Sequence, residues 1–134
     1  MTSNNSTRDS LIRIKNGYKA RKKTIILQRS NLCIEILKIL RQEGYIKGFQ
    51  VGDRSINVLL KYFRDKPVIK DIIYYSPLSA KTTVSFKQLK QLCENKSKKT
   101  NGLNLNILST SLGLLSDYTC LDNRLGGKLL LMII

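Results

Sequence analysis

Three adjacent hydroxyl side chains, Ser109-Thr110-Ser111, stand just before Gly113, and a glycine pair, Gly126-Gly127, follows them down the chain. Short hydroxyls donate and accept hydrogen bonds at close range. That suits the 2′-hydroxyls, phosphates and base edges of a shallow RNA minor groove. A glycine at position 113 would let backbone come near such a ligand. Taken alone, the segment is more commonly a polar strand end with a turn, and Gly126-Gly127 an ordinary turn or bulge. A nucleophilic reading of the serines fails for want of a base. The chain has no histidine, which removes Ser-His-Asp and Cys-His catalysis, histidine-ligated zinc and an imidazole pH switch. Its nine acids are scattered, so a nucleic-acid-processing enzyme finds neither a metal site nor a general base. The expectation is no enzyme, no cofactor, no metal and no small-molecule substrate.

The second constellation is positive charge. Arg21-Lys22-Lys23 closes a basic stretch that includes Arg8, Lys15 and Lys19. At an exposed helix end these groups gain well under ~1 kcal/mol from the helix dipole; contact with phosphates is at least as good a use. The whole chain of 134 residues carries 24 Lys and Arg against 9 acids, a formal charge of +15. Such a field steers polyanions and releases condensed counterions, and it exceeds what solubility needs. The charge is uneven: residues 1–30 hold eight bases and one acid, while 101–134 balance to zero. Lys96, Lys98 and Lys99 read either as a second phosphate-touching loop or as a solvated one. Tyr62, Tyr74 and Tyr75 read either as stacking surfaces or as core.

Other classes drop out on composition. The longest apolar run, Leu129 to Ile134, is too short to span a membrane, and no tryptophan anchors an interfacial helix. Cys33, Cys93 and Cys120 are odd in number and far apart, so neither a disulfide framework nor a thiolate metal site is expected. No apolar signal core opens the chain, so secretion is not expected. Fifteen Ile and sixteen Lys against two Ala point to an AT-rich gene, as in organelle genomes.

The elements that must position these groups follow from periodicity. Asp9 or Ser10 caps a first helix with Leu11, Ile14 and Tyr18 on one face. Thr24 to Gln28 reads as a short buried strand. Ser30 caps a second helix whose stripe of Leu32, Cys33, Ile36, Leu37, Ile39 and Leu40 faces a core, ending at Gly44. A hairpin runs from Tyr45 to Val51 and from Ser55 to Phe63. Lys66-Pro67 marks a boundary between an amino-terminal helix-strand-helix-hairpin subdomain (1–66) and a β-rich carboxy-terminal one (67–134). The second contains a strand over Val68 to Tyr75, a loop at Ser76 to Ser79 and a short helix capped by Ser85 through Leu89 and Leu92. A basic turn over Glu94 to Gly102, an alternating strand of Leu103, Leu105 and Ile107, and a turn or short helix at Ser116-Asp117 come next. Gly126-Gly127 leads into a last strand, Lys128 to Ile134. The class is α+β, with helices concentrated early and strands late.

The order of motifs adds what no single one supplies. Asp9-Ser10-Leu11-Ile12-Arg13-Ile14-Lys15-Asn16-Gly17, then Gln42-Glu43-Gly44-Tyr45-Ile46 and Leu60-Lys61-Tyr62-Phe63, then Ser109-Thr110-Ser111-Leu112-Gly113, Asp117 and Gly126-Gly127, resemble the small-subunit ribosomal protein S-eight family over nearly the whole chain. The resemblance implies a structural constituent of the small ribosomal subunit that binds the central domain of small-subunit ribosomal RNA early in assembly and touches neighbouring subunit proteins. It implies RNA contact by Ser109, Thr110, Ser111 and Gly113, with Gly126 and Gly127 shaping the loop beside them. Arg13 and Asn16 of the opening helix join Arg8, Lys15, Lys19 and Arg21 to Lys23 on the amino-terminal side. Leu112 replaces a lysine usual in the family, Lys128 stands where an acid commonly follows the glycines, and Arg124 holds a position that is often glycine. With the AT-rich composition, this divergence fits an organelle-encoded mitochondrial member. The rival reading is a free RNA-binding regulator with the same basic surface.

Overall fold

Ser30 sits in an extended conformation and its side chain accepts a hydrogen bond from the Cys33 amide, so the second helix starts where an N-cap dictates. That helix is α2, Asn31–Gln42, in a computed structural model that describes residues 3–75, 83–100 and 105–134. Its buried stripe is Cys33, Ile36, Leu37 and Leu40; Asn31, Glu35, Lys38 and Gln42 are exposed, as expected. The first helix, α1, runs Ser3–Lys19 and so begins ahead of the expected cap at Asp9 or Ser10. The reason is packing: Thr7 and Ser10 are buried and extend the stripe of Leu11, Ile14 and Tyr18 by one more turn.

The chain divides into two compact units, Met1–Ile72 and Ile73–Ile134. In the first, β1 (Thr24–Gln28), β2 (Ile46–Val51) and β3 (Ser55–Leu60) form an antiparallel sheet in the order β1-β3-β2. Alternation sends Ile25, Leu27, Ile56, Val58 and Leu60 into the core. The expected long strand to Phe63 breaks at Lys61. Tyr62–Phe63 (β4) instead pairs with Lys66–Pro67 (β5) as a separate hairpin. Val68 donates to the Lys61 carbonyl, and Lys15 pairs with Asp71 at 2.7 Å, so the segment after Pro67 stays tied to this unit. The Tyr18 hydroxyl donates to the Tyr45 carbonyl and accepts from the Lys61 amide. Burial pushes its phenol up to about 12 despite that stabilising amide.

The second sheet runs β6-β10-β8-β9, with β7 also on β10. Its strands are β6 (Ile72–Tyr74), β7 (Thr83–Val84), β8 (Leu105–Thr110), β9 (Gly113–Ser116) and β10 (Gly127–Ile133). The strand expected over Val68 to Tyr75 shortens to β6. The Ser76 to Ser79 loop and Leu103 lie outside the described residues. Helix α3, Phe86–Thr100, opens on a reciprocal cap: the Gln88 amide donates to Ser85 Oγ while the Ser85 amide donates to Gln88 Oε1. It continues through the stretch expected to be a basic turn, since no glycine or proline interrupts it before position 102. The class is α+β as expected, with a helical amino-terminal part and a β-rich carboxy-terminal part that also carries α3 and a further helix. Leu89 and Cys93 face the core while Leu92 is exposed. Helix α4, Asp117–Asp122, is capped by Ser116. Leu89, Cys93, Leu108 and Cys120 form the core beneath one face of the sheet.

All three cysteines are buried and none is in a disulfide. Burial raises the Cys33 thiol, against a hydrogen bond with Ser10 that favours the thiolate, and it raises Cys120 beside the Asp117 carboxylate. Native protein should therefore react with a thiol reagent at neutral pH only as fast as it opens. Cys33→Ser should cost about 1–3 kcal/mol through a poorly matched buried hydroxyl. Rapid labelling of Cys33 in the folded chain would contradict the placement.

Candidate nucleic-acid interface

Strand β8 is buried on both faces from Leu105 to Leu108 and leaves the core at Ser109. Simple alternation does not hold here, because Asn106 is buried too. Its side-chain amide and backbone amide both donate to Asp117 Oδ2, at 3.2 and 3.3 Å, so β8 is locked to the first turn of α4. The core thus ends at a fixed point, and the hydroxyl segment begins there.

The Thr110 hydroxyl is committed to the turn: it donates to the Gly113 carbonyl at 2.8 Å and accepts from the Leu112 amide at 3.1 Å. Gly113 has φ +105, a left-handed conformation that closes β8 onto β9. Ser109 and Ser111 flank this turn, both exposed, and neither side chain hydrogen-bonds among the described residues. Leu112 at the tip is 69% exposed. Two residues of the expected set therefore present free hydroxyls, and one holds their geometry.

Gly126-Gly127 comes to the same place from the other side. A Cβ on Gly127 would lie 2.7 Å from the Ser109 carbonyl oxygen, and one on Gly126 would lie 2.6 Å from the Val84 carbonyl oxygen. The pair is a close approach of backbones, not the ordinary turn that local pattern suggests. Register adds a residue that motif reading did not place in the site. Lys128 is the Cα partner of Ser109 on β8 and of Thr83 on β7, so its side chain shares their face. The clue in sequence was only that Lys128 follows the glycines. Arg124 adopts φ +53 just beyond α4, the left-handed conformation that glycine takes without strain.

In the amino-terminal unit, Arg8, Arg13, Asn16 and Lys19 lie exposed along α1, and Arg21, Lys22 and Lys23 are exposed beyond its end. Lys15 is drawn aside into its ion pair, and that partner holds the Asp71 carboxyl below its usual value. Arg13 donates to the Ile26 carbonyl at 3.2 Å, and Arg21 to the Asp65 carbonyl. Arg13, Asn16, Gly17, Ala20, Lys22 and Thr24 line an open groove between α1 and β1. Tyr62 is half-buried against Tyr18, with ring centroids 5.5 Å apart, so it belongs with the core. Burial raises its phenol, with Arg21 opposing. Of the basic stretch at 96–99, the backbone is helical and the side chains lie outside the described ones.

The sequence as a whole is similar to known proteins. A family model described as ribosomal protein S8 matches residues 5–134. The small ribosomal subunit protein uS8m of Acanthamoeba castellanii is 39% identical over 121 residues, covering 90% of this chain and 91% of that protein. The small ribosomal subunit protein uS8 of Buchnera aphidicola subsp. Baizongia pistaciae is 37% identical over 125 residues, 91% of each chain. That of Rhizobium etli is 33% identical over 135 residues, 97% of each.

Proposed function

The chain belongs to the ribosomal protein S8 family, and from that premise we propose that it is a structural, non-enzymatic constituent of the small ribosomal subunit. On this reading it binds the central domain of small-subunit ribosomal RNA, supports assembly and packs beside neighbouring subunit proteins. The observation that carries the RNA reading is the close approach of Gly127 to the Ser109–Gly113 turn, which bears two exposed hydroxyls, with Lys128 on the Ser109 face. Hydroxyls, close backbone and one cation match a minor groove lined by 2′-hydroxyls and phosphates. Arg8, Arg13, Asn16, Lys19 and Arg21 to Lys23 supply phosphate contacts from the other unit. Lys15 joins them only if the RNA displaces Asp71.

The mitochondrial ribosome of the matrix is the proposed location. It is supported by the likeness to a protein named uS8m at 39% identity and by the AT-rich composition, which also favours synthesis from an organelle gene. Sedimentation tests both parts. A tagged chain from gently lysed mitochondria should migrate with the small subunit through a sucrose gradient and stay there at moderate salt. Recovery at the top of the gradient would favour the free regulator, and absence from mitochondria would overturn the location.

A further inference from the structure

The β4–β5 hairpin presents a bare aromatic ring. Strand alternation turns Tyr62 inward, where it meets Tyr18 edge-on and its hydroxyl donates to the Lys22 carbonyl at 2.5 Å. The same alternation turns Phe63 outward, 65% exposed. The Arg64 guanidinium carbon stands 5.2 Å from the centre of that ring, within cation–π range. The turn itself is unusual: Arg64 and Asp65 have φ +52 and +63, a consecutive left-handed pair that normally calls for asparagine or glycine. Arg21, itself at φ +56, holds this turn by donating to the Asp65 carbonyl. Three non-glycine residues in left-handed backbone therefore lock together to display a phenyl ring to solvent. Strain held in place by surrounding structure is a mark of a working surface.

We propose that this hairpin tip is a stacking platform for one unpaired nucleotide of RNA, with Phe63 supplying the apolar face and Arg64 the charge for its phosphate. The inference rests on the RNA-binding reading above and adds a second contact of a different kind. The surroundings favour RNA over a protein partner. Phe63 is followed by three exposed charged residues, Arg64, Asp65 and Lys66, and Arg21, Lys22 and Lys23 are exposed beyond α1. Asp65 is the one carboxylate of the tip. Protein interfaces centre on apolar groups and deplete lysine. Platforms for unpaired nucleotides combine an aromatic ring with arginine and a positive surround.

The test uses the full chain, titrated against a transcript of the central domain of its small-subunit RNA. Loss of one stacked base should weaken Phe63→Ala binding by roughly five- to a hundredfold, with the salt dependence unchanged. Phe63→Leu, which keeps apolar bulk without a π-face, should lose nearly as much, and Phe63→Trp should restore binding. Chemical probing should show one unpaired nucleotide gaining reactivity with the first two variants and protected with the third. Tight wild-type binding that Phe63→Ala leaves unchanged would overturn this inference alone; failure of the wild type to bind would overturn the RNA reading with it. Wild-type affinity in Phe63→Leu, or, in isolated small subunits, a photocrosslink from position 63 to a subunit protein in place of RNA, would assign the ring to a protein contact and overturn it as well.

Discussion

Gly127→Ala should destabilise the carboxy-terminal unit by about 3 kcal/mol, the upper end for overpacking a site that cannot yield. The new methyl would lie 2.7 Å from the Ser109 carbonyl oxygen and 2.9 Å from Thr110 Cγ2. Gly126→Ala is worse placed, at 2.6 Å from the Val84 carbonyl oxygen, 2.9 Å from Ser85 Cα and 3.0 Å from the Phe86 amide nitrogen. Backbone atoms at a strand junction cannot swing away as the end of a lysine can. Gly127→Ala must push β10 from β8, which carries the hydroxyl turn, and Gly126→Ala must push the start of β10 from the start of α3. For a unit of this size the melting temperature should fall by roughly 12–24 °C, read by thermal denaturation of the purified chain. Gly113→Ala is the internal comparison. Nothing lies within 4 Å of its added Cβ, but φ is +105, so the cost reduces to backbone strain of about 1–2 kcal/mol. Melting of Gly126→Ala and Gly127→Ala at the wild-type temperature would mean the two backbones do not meet there, and the interface would lose its framework.

Those glycines mark the limit of what local pattern reveals. The Ser30 cap, the α2 stripe and strand β1 are legible because each depends on residues within one or two turns of itself. The hydroxyl segment was legible as chemistry, but its geometry was not. That Thr110 would close the turn while Ser109 and Ser111 stay free depends on where Gly113 bends the chain. The need for Gly126-Gly127 comes from Val84 and Ser109, which are distant in sequence, and a dipeptide carries no trace of that. The motif marks Lys128 only as a reversed charge after the glycines, and strand register is what sets it beside Ser109. Helix α3 was underestimated because a run of Lys, Asn and Ser looks like a loop; lysine is in fact a sound helix former, and no breaker stops it. Tyr62 reads as a core or stacking candidate and Phe63 only as a strand end, until the break at Lys61 sets the first inward and the second outward.

The hydroxyl turn allows a sharper separation of hydrogen bonding from charge than most RNA interfaces. Ser109→Ala and Ser111→Ala should each weaken RNA binding by about 0.5–1.5 kcal/mol, and more where an RNA group is left buried and unpaired. The double variant should lose roughly tenfold or beyond, each ~1.4 kcal/mol being a factor of ten. Its fold should survive, because neither hydroxyl serves the described structure and the core of Leu105, Ile107 and Leu108 is untouched. Thr110→Val differs in kind: it removes the bonds to Gly113 and Leu112 and should loosen the turn before any RNA arrives. Hydroxyls release no counterions, so the slope of log affinity on log salt should stay at the wild-type value in the double serine variant. Lys22→Ala, Lys23→Ala or Lys128→Ala should each lower that slope by roughly 0.7–0.9 if the lysine touches a phosphate. A salt-series titration against the central-domain transcript, with a thermal melt on each variant, reads all of these together. Full affinity in a folded double serine variant would reduce the segment to a strand end, and recognition would then rest on the basic surface of the amino-terminal unit.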